Sequence, residues 1–127
     1  ALAAGRKMPA PVYIATMEAI HAWSRRMKAW WADYDILLMP TSPYVAPRLD
    51  VLAADPANAA MGVSLTAPFN MTGQPAASIP GGWSALGLPV GVQAIADFGR
   101  EDLIFRIAGA VEEMTPWTER LPGVCAV

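Results

Sequence analysis

The sequence has little charge, and one long stretch of it has none. Only 16% of the 127 residues are charged, whereas about 25% is usual. No charged residue and no histidine lies between Pro56 and Ala96. Such a stretch must be embedded in lipid, disordered or buried. Its prolines, glycines and amides would leave backbone groups without partners in hydrocarbon, and its aliphatic content argues against disorder. We therefore expect burial in a globular protein, with no membrane span.

The sequence also lacks the residues of several common sites. The single cysteine, Cys125, excludes an internal disulfide and a cysteine-based metal site, and it mildly favours a reduced, cytoplasmic setting. His21 has no ligand-type neighbour at a suitable spacing, so we interpret it as a packed or half-exposed side chain. No glycine-rich phosphate-binding motif is present. We expect no metal and no cofactor.

Basic residues are too few to predict nucleic-acid binding. The net charge is −2, and the one basic cluster, Arg25, Arg26 and Lys28, is most simply the solvated face of a helix. A nucleic-acid-binding domain usually has a basic face and stacking aromatics.

What the sequence has in plenty is apolar surface. It is 54% hydrophobic, although a small domain needs polar residues to cover its large relative surface. It opens at Ala1 without the charged and apolar regions of a signal peptide. We expect that the chain is a piece of a larger protein and that much of the chain's surface faces the missing part. Its apolar faces also allow homo-oligomerisation.

Hydrophobic periodicity predicts short buried strands among amphipathic helices, hence an α/β fold with helices on both faces of a sheet. The predicted elements are, in order, a helix (9–31), a strand (36–39), an irregular loop (40–58), a short helix (66–73), two strands (76–80 and 89–96) and a helix (101–114).

Particular residues define the ends and faces of these helices. Thr66 is the expected cap of the short helix, with Pro68 in its first turn. The first helix should bury a tryptophan-rich stripe of Val12, Ile20, Trp23, Met27, Trp30 and Trp31. The last should bury Leu103, Ile107, Ala110, Val111 and Met114, with Phe105 off the stripe.

No self-sufficient catalytic group is apparent from the residues alone. Ser42, Ser64 and Ser78 lack the G-x-S-x-G motif of a nucleophile elbow, and Ser78 is better explained as a satisfied hydroxyl in a strand. Lys7 and Lys28 do not look buried enough to act as bases of lowered pKa.

Four segments resemble, in order, segments of the amidase signature family. They are YDILLMPTSP at 34–43, TAPFNMTGQPAASIPGG at 66–82, GLPVGVQ at 87–93 and GREDL at 99–103. Each is weak alone, but four in the family's order are specific and extend over nearly the whole chain. The GQPA and GRED sequences look closest to bacterial amidases that include 6-aminohexanoate cyclic dimer hydrolases.

The resemblance implies a serine hydrolase that acts on a small-molecule carboxylic amide. In the family a second serine and a lysine activate the nucleophile, and water hydrolyses the acyl-enzyme. The segments that carry these residues lie upstream in the family and match no position here. Residues 1–127 would therefore be the C-terminal portion of a single amidase domain, inactive without its N-terminal portion.

The resemblance also implies that this portion completes the mixed β-sheet of the amidase signature fold and one wall of the substrate pocket. The matching positions nearest that wall are Thr41, Phe69 and Asn70. Phe69 would offer an apolar face, whereas Asn70 is better explained as an anchor of loop backbone. Gly73 and Pro75 are assigned to the turn into the next strand.

Two other interpretations stay open. The chain could be the non-catalytic product of a truncated or decayed gene, or an independent α/β binding module. Catalytic segments upstream of Ala1 would support a working amidase over the product of a truncated or decayed gene. A sharp thermal transition of the isolated chain would favour the independent binding module.

Overall fold

Three antiparallel strands with helices on both faces form the fold. The computed structural model describes residues 5–54, 56–117 and 120. The helices are α1 (Ala10–Trp30), α2 (Leu49–Ala54), α3 (Pro56–Gly62), α4 (Ala67–Thr72) and α5 (Glu101–Met114), and the strands are β1 (Ile36–Pro40), β2 (Ala76–Trp83) and β3 (Pro89–Ala96). A 3₁₀ turn, Trp31–Asp33, follows α1.

The last strand in the sequence lies in the middle of the sheet. The strand order is β1–β3–β2, and both pairs are antiparallel. Leu38 of β1 and Ala77 of β2 lie on either side of Ala94. The register continues past the end of β1, because the backbone N–H of Thr41 donates to the carbonyl of Gly91 at 3.0 Å.

Alternate residues of β3 bury opposite faces of the sheet, as a strand's two-residue period requires. On one face Ala94 and Ala96 pack with Ile79 and with Ile104 of α5. On the other, Ile95 packs with Trp31 and Phe69. Ala94, Ile95 and Ala96 have no exposed surface. The helices on both faces confirm the predicted α/β architecture.

The uncharged stretch forms several short elements, from α3 to β3. Within the described residues no helix combines the length and the apolar character that a bilayer span requires. The expected burial holds for Gln93 to Ala96 but not for the whole stretch, since Met61 is 55% exposed and Leu86 80% exposed.

The prediction of an irregular loop over residues 40–58 is wrong in part, because this segment contains α2 and the start of α3. Its prolines led to that prediction, but they lie outside the helix interiors. Pro56 is the first residue of α3, where its missing N–H costs nothing. The alanines and leucines between the prolines are good helix formers.

The predicted side-chain cap of α4 is also wrong. Thr66 is at the N-cap position but has helical backbone angles, φ −96° and ψ −30°. Its hydroxyl donates back to the carbonyl of Val63 at 3.2 Å and does not cap α4. Pro68 does lie in the first turn, and Gly73 ends the helix with φ of 77°, a left-handed conformation that glycine adopts without strain.

The predicted apolar stripes match the structure only in part. Met27 and Trp31 enter the core, but Val12 is 51% exposed and Trp30 lies against Tyr34, with ring centroids 4.2 Å apart. In α5, Leu103, Ile107 and Val111 pack on the sheet together with Ile104 and Ala108, which were not predicted, whereas Ala110 and Met114 are exposed. Leu38, expected to be buried, is 51% exposed. Periodicity identifies a helix face, but the tertiary position decides how much of that face meets the sheet.

An ion pair between Lys28 and Asp97 ties α1 to the turn after β3. The hydrogen bond from Lys28 holds the pKa of the Asp97 carboxyl below its ordinary value. Because that pKa is lowered in the folded state, the pair stabilises the fold above about pH 4, the pKa expected in the unfolded chain, and this stabilisation is lost as pH falls through the folded pKa.

Lys28→Gln should therefore lower the free energy of unfolding at pH 7 by at most about 1 kcal/mol, as for other partly exposed pairs. The difference from the parent should shrink as the pH falls from 4 to 2. Denaturant titrations of the complete protein at these pH values measure it. Lys7→Gln serves as the control, because Lys7 makes no ion pair with the described residues. A difference that stays constant with pH would show that Asp97 is not the relevant partner.

Candidate functional site

A wide groove of about 1120 Å³ opens between α5 and the ends of the strands. Its lining is largely apolar and includes Leu38, Ile79, Val92, Ile107 and Val111. Small-molecule sites are typically concave, mostly apolar and supplied with a few well-placed polar groups. The polar groups of this groove are therefore the ones to examine.

Two hydroxyl groups meet where the groove reaches the strand ends. Thr41 Oγ1 and Ser78 Oγ lie 2.7 Å apart and share a hydrogen bond. We call these two groups the hydroxyl pair. Both residues line the groove. The prediction that Ser78 is a satisfied strand hydroxyl is confirmed, although no local pattern indicates that its partner is Thr41.

Gly91 makes the hydroxyl pair possible. A β-carbon at this position would lie 2.6 Å from Ser78 Oγ and 2.8 Å from Thr41 Oγ1, distances below normal van der Waals contact. The hydrogen bond from the Thr41 backbone to the Gly91 carbonyl holds the end of β1 against β3 at the same level. Three strands thus converge at a point where only glycine fits.

Aromatic side chains and one cation also line the groove. The guanidinium of Arg120 lies 3.8 Å from the ring centroid of Trp83, within the range of a cation–π contact. Trp83, Trp117, Tyr44 and Arg120 all line the groove. None of these residues was singled out from the sequence, because they come from three separate segments and belong to no motif.

The structure separates the three predicted pocket residues. Thr41 lines the groove. Phe69 is 6% exposed and packs with Trp31 and Ile95 on the face of the sheet opposite α5. Asn70 is exposed, and its amide makes no hydrogen bond to the described part of the chain, so the expected anchoring of loop backbone is not seen there. Neither Phe69 nor Asn70 lines the groove.

Pro75 and Gln93 position the backbone around the sheet. The carbonyl of Pro75 accepts a hydrogen bond from the N–H of Ala96 at 3.1 Å, so the turn after Gly73 is fixed to β3. Gln93 is 4% exposed and donates from Nε2 to the carbonyl of Leu65 at 3.2 Å. This contact ties the segment just before α4 to the central strand.

Other reactive side chains are not gathered at the groove. His21 is exposed on α1, and Lys28 is engaged with Asp97. In residues 5–54, 56–117 and 120 no group of histidine, cysteine and acidic side chains is arranged to hold a metal ion. Cys125 lies outside the described residues. The described residues thus offer a groove with hydrogen-bonding groups and a cation, which can bind a ligand.

Residues 2–105 match the family model described as Amidase. Since this match spans most of the sequence, the chain belongs to the amidase family. The resemblance carried by the four segments is thereby confirmed.

Individual relatives support the same conclusion. The chain is 32% identical to the 6-aminohexanoate-cyclic-dimer hydrolase of Paenarthrobacter ureafaciens, with 87% of this chain and 25% of that protein covered. It is 44% identical to a glutamyl-tRNA(Gln) amidotransferase subunit of Streptococcus equi subsp. zooepidemicus, with 72% of this chain and 19% of that protein covered. The chain thus spans a quarter or less of these curated relatives.

Solved structures have the same fold over almost all of this chain. A 6-aminohexanoate cyclic dimer hydrolase complexed with substrate superposes with a TM-score of 0.84 and 29% identity, covering 93% of this chain and 27% of that one. The corresponding glutamyl-tRNA(Gln) amidotransferase subunit from Thermotoga maritima superposes with a TM-score of 0.75 and 34% identity, covering 83% of this chain and 23% of that one.

Proposed function

We propose that this chain is the C-terminal portion of an amidase domain that hydrolyses a small-molecule carboxylic amide. The observation that carries the proposal is the match of nearly the whole chain to about a quarter of a hydrolase solved with its substrate. The chain would complete the sheet of that domain and supply one wall of its substrate pocket.

The chemistry would come from the missing portion. Amide hydrolysis through an acyl-enzyme needs a nucleophile, a base that takes its proton and an acid that protonates the leaving amine. In the amidase signature family two serines and a lysine meet these needs, and no segment of this chain matches the segments that carry them. Within the complete protein, residues 1–127 would shape and cover the site.

The apolar groove supports this role. Leu38 is half exposed on the face that α5 covers only in part, and the groove extends over Ile79 and Val92. Water-exposed apolar surface of this kind marks a surface that another body covers or a ligand fills. We assign the groove to the pocket wall and to the boundary with the missing portion.

The test compares this chain with the complete protein that contains it. The complete protein should hydrolyse a simple aryl amide such as an acyl-4-nitroanilide, and the chain alone should give no turnover above the buffer rate, because the proposed nucleophile and lysine are elsewhere. Release of 4-nitroaniline, followed by absorbance, measures both. A mock purification from cells without the gene controls for contaminating hydrolases.

Two results would contradict the proposal. Turnover by the chain alone would place a nucleophile within residues 1–127. A complete protein that folds, lacks turnover with a panel of amides and has no serine–serine–lysine set would favour the non-catalytic interpretation. Size-exclusion chromatography of the complete protein should accompany the assay, because exposed apolar surface on this chain can promote self-association.

A further inference from the structure

We propose that Arg120 binds the carboxylate group of a ligand that lies in the groove. The ligand class is a monocarboxylate with an apolar body. Binding of this kind requires no hydrolysis, so it goes beyond the proposed function, although both concern the same groove.

The charge of the groove's lining points to such a ligand. Arg120 is the one charged side chain among the described residues that line the groove. Glu112 and Glu113 of α5 are exposed and do not line it. A lone cation beside apolar surface attracts an anion strongly, because walls of low polarity screen its field less than water does. The groove is therefore complementary to a ligand with one negative charge and an apolar remainder.

Two contacts hold Arg120 at the groove. Its guanidinium carbon lies 3.8 Å from the centroid of the Trp83 ring, and its backbone N–H donates to the carbonyl of Trp117 at 3.1 Å. A guanidinium that already lies over an aromatic ring loses less conformational freedom when it forms further hydrogen bonds. Arg120 is thus oriented before a ligand arrives.

The guanidinium of Arg120 still has hydrogen bonds to make. It carries five N–H donors, and no carboxylate of the described residues pairs with it. A carboxylate accepts two parallel N–H bonds from a guanidinium, which an alcohol or an amine cannot do. A phosphate monoester fits the same fork but carries up to two negative charges. Because one guanidinium neutralises one of these charges, the apolar lining favours the monoanion.

The test compares three probes that differ only at one end: 3-phenylpropanoate, 3-phenylpropan-1-ol and 3-phenylpropylammonium. None of them contains an amide or ester bond. Binding to the complete protein at pH 7 is followed by tryptophan fluorescence, since Trp83 and Trp117 line the groove. The carboxylate should bind about tenfold more tightly than the alcohol, the lower end for a charge-assisted hydrogen bond because Arg120 is exposed to water. The ammonium should bind most weakly.

Two variants separate Arg120 from a general effect of charge. Arg120→Met removes the guanidinium and keeps an unbranched side chain against Trp83, so the ratio of the carboxylate and alcohol affinities should fall to about one. Arg106→Met removes the same charge from α5 at an exposed position that does not line the groove, and it should keep the ratio. In the parent, raising NaCl from about 0.05 to about 0.5 M should reduce the ratio, because salt screens the ion pair.

Thermal unfolding shows whether each variant is folded, and the salt dependence of the parent decides if Arg120→Met is not. Equal affinities for carboxylate and alcohol in the parent, or a ratio that Arg120→Met leaves unchanged, would overturn the inference. An equal fall in Arg106→Met would do the same, since it indicates an effect of net charge. If the preference is absent while the complete protein hydrolyses aryl amides, only this inference fails. A preference without any hydrolysis would keep the site and contradict the proposed function.

Discussion

Ile95→Ala should lower the free energy of unfolding of the complete protein by about 3 kcal/mol, within the range measured for isoleucine-to-alanine changes in cores. Ile95 has no exposed surface and packs against Trp31 and Phe69. Removing its outer carbons leaves a cavity between the sheet and the helices α1 and α4, because two aromatic rings and a strand cannot close over it. Urea titration followed by circular dichroism measures the change.

Val90→Ala in the same strand is the control for Ile95→Ala. Val90 is 36% exposed in the chain, so its truncation should cost under about 1 kcal/mol. The test is decided by the difference between the losses of unfolding free energy at the two positions. If Ile95→Ala costs no more than Val90→Ala, the face that Trp31 and Phe69 cover is not part of the core.

Gly91→Ala should have the second largest effect, a loss of about 2 kcal/mol, typical of an extra carbon forced into a close-packed site. The new β-carbon would meet both oxygens of the hydroxyl pair and Thr41 Cβ at 3.2 Å. The end of β1 must then move away from β3, which also breaks the pair. The denaturant midpoint of the complete protein measures the loss.

A double-mutant cycle separates the steric cause from a general effect of alanine in a strand. Ser78→Gly removes the nearest obstructing atom, so Gly91→Ala should cost less in that background than in the parent. Gly109→Ala is a further control, for which we expect the free energy of unfolding to rise instead of fall. A β-carbon there would meet no atom within 4 Å, and in α5 alanine should stabilise by up to about 1 kcal/mol. Equal costs for Gly91→Ala in both backgrounds would contradict the steric explanation.

The elements that could be predicted are those whose sequence pattern is local. The periodicity of α1 and α5, the apolar runs of β1 and β3 and the glycine that ends α4 are all visible within a short window. The prediction failed for α2 and α3 because prolines at helix boundaries look the same as prolines in a loop. It failed for the Thr66 cap because capping depends on backbone angles that the residue type does not determine.

The site was harder to predict than the fold. Thr41 was found through its position in a family segment, and the structure adds the hydrogen-bond partner of its hydroxyl. That partner, Ser78, lies 37 positions away, and only the register of three strands brings the two together. Phe69 belongs to a family segment as well, but its apolar side chain serves the core. Membership of a motif does not distinguish a residue that lines a groove from one that supports the wall behind it.

The position of β3 between two strands that precede it determines when the sheet can form during synthesis. Within the described residues, β1 and β2 pair only with β3. At about 5–20 residues per second, β1 leaves the ribosome roughly 3–11 seconds before β3 is complete. During that time the apolar residues 36–39 lack their partner among the described strands, and an unpaired strand edge invites association with other chains. A pause in translation after β1 has emerged and before β3 has emerged would therefore raise the risk of aggregation, and faster translation over this interval would reduce it.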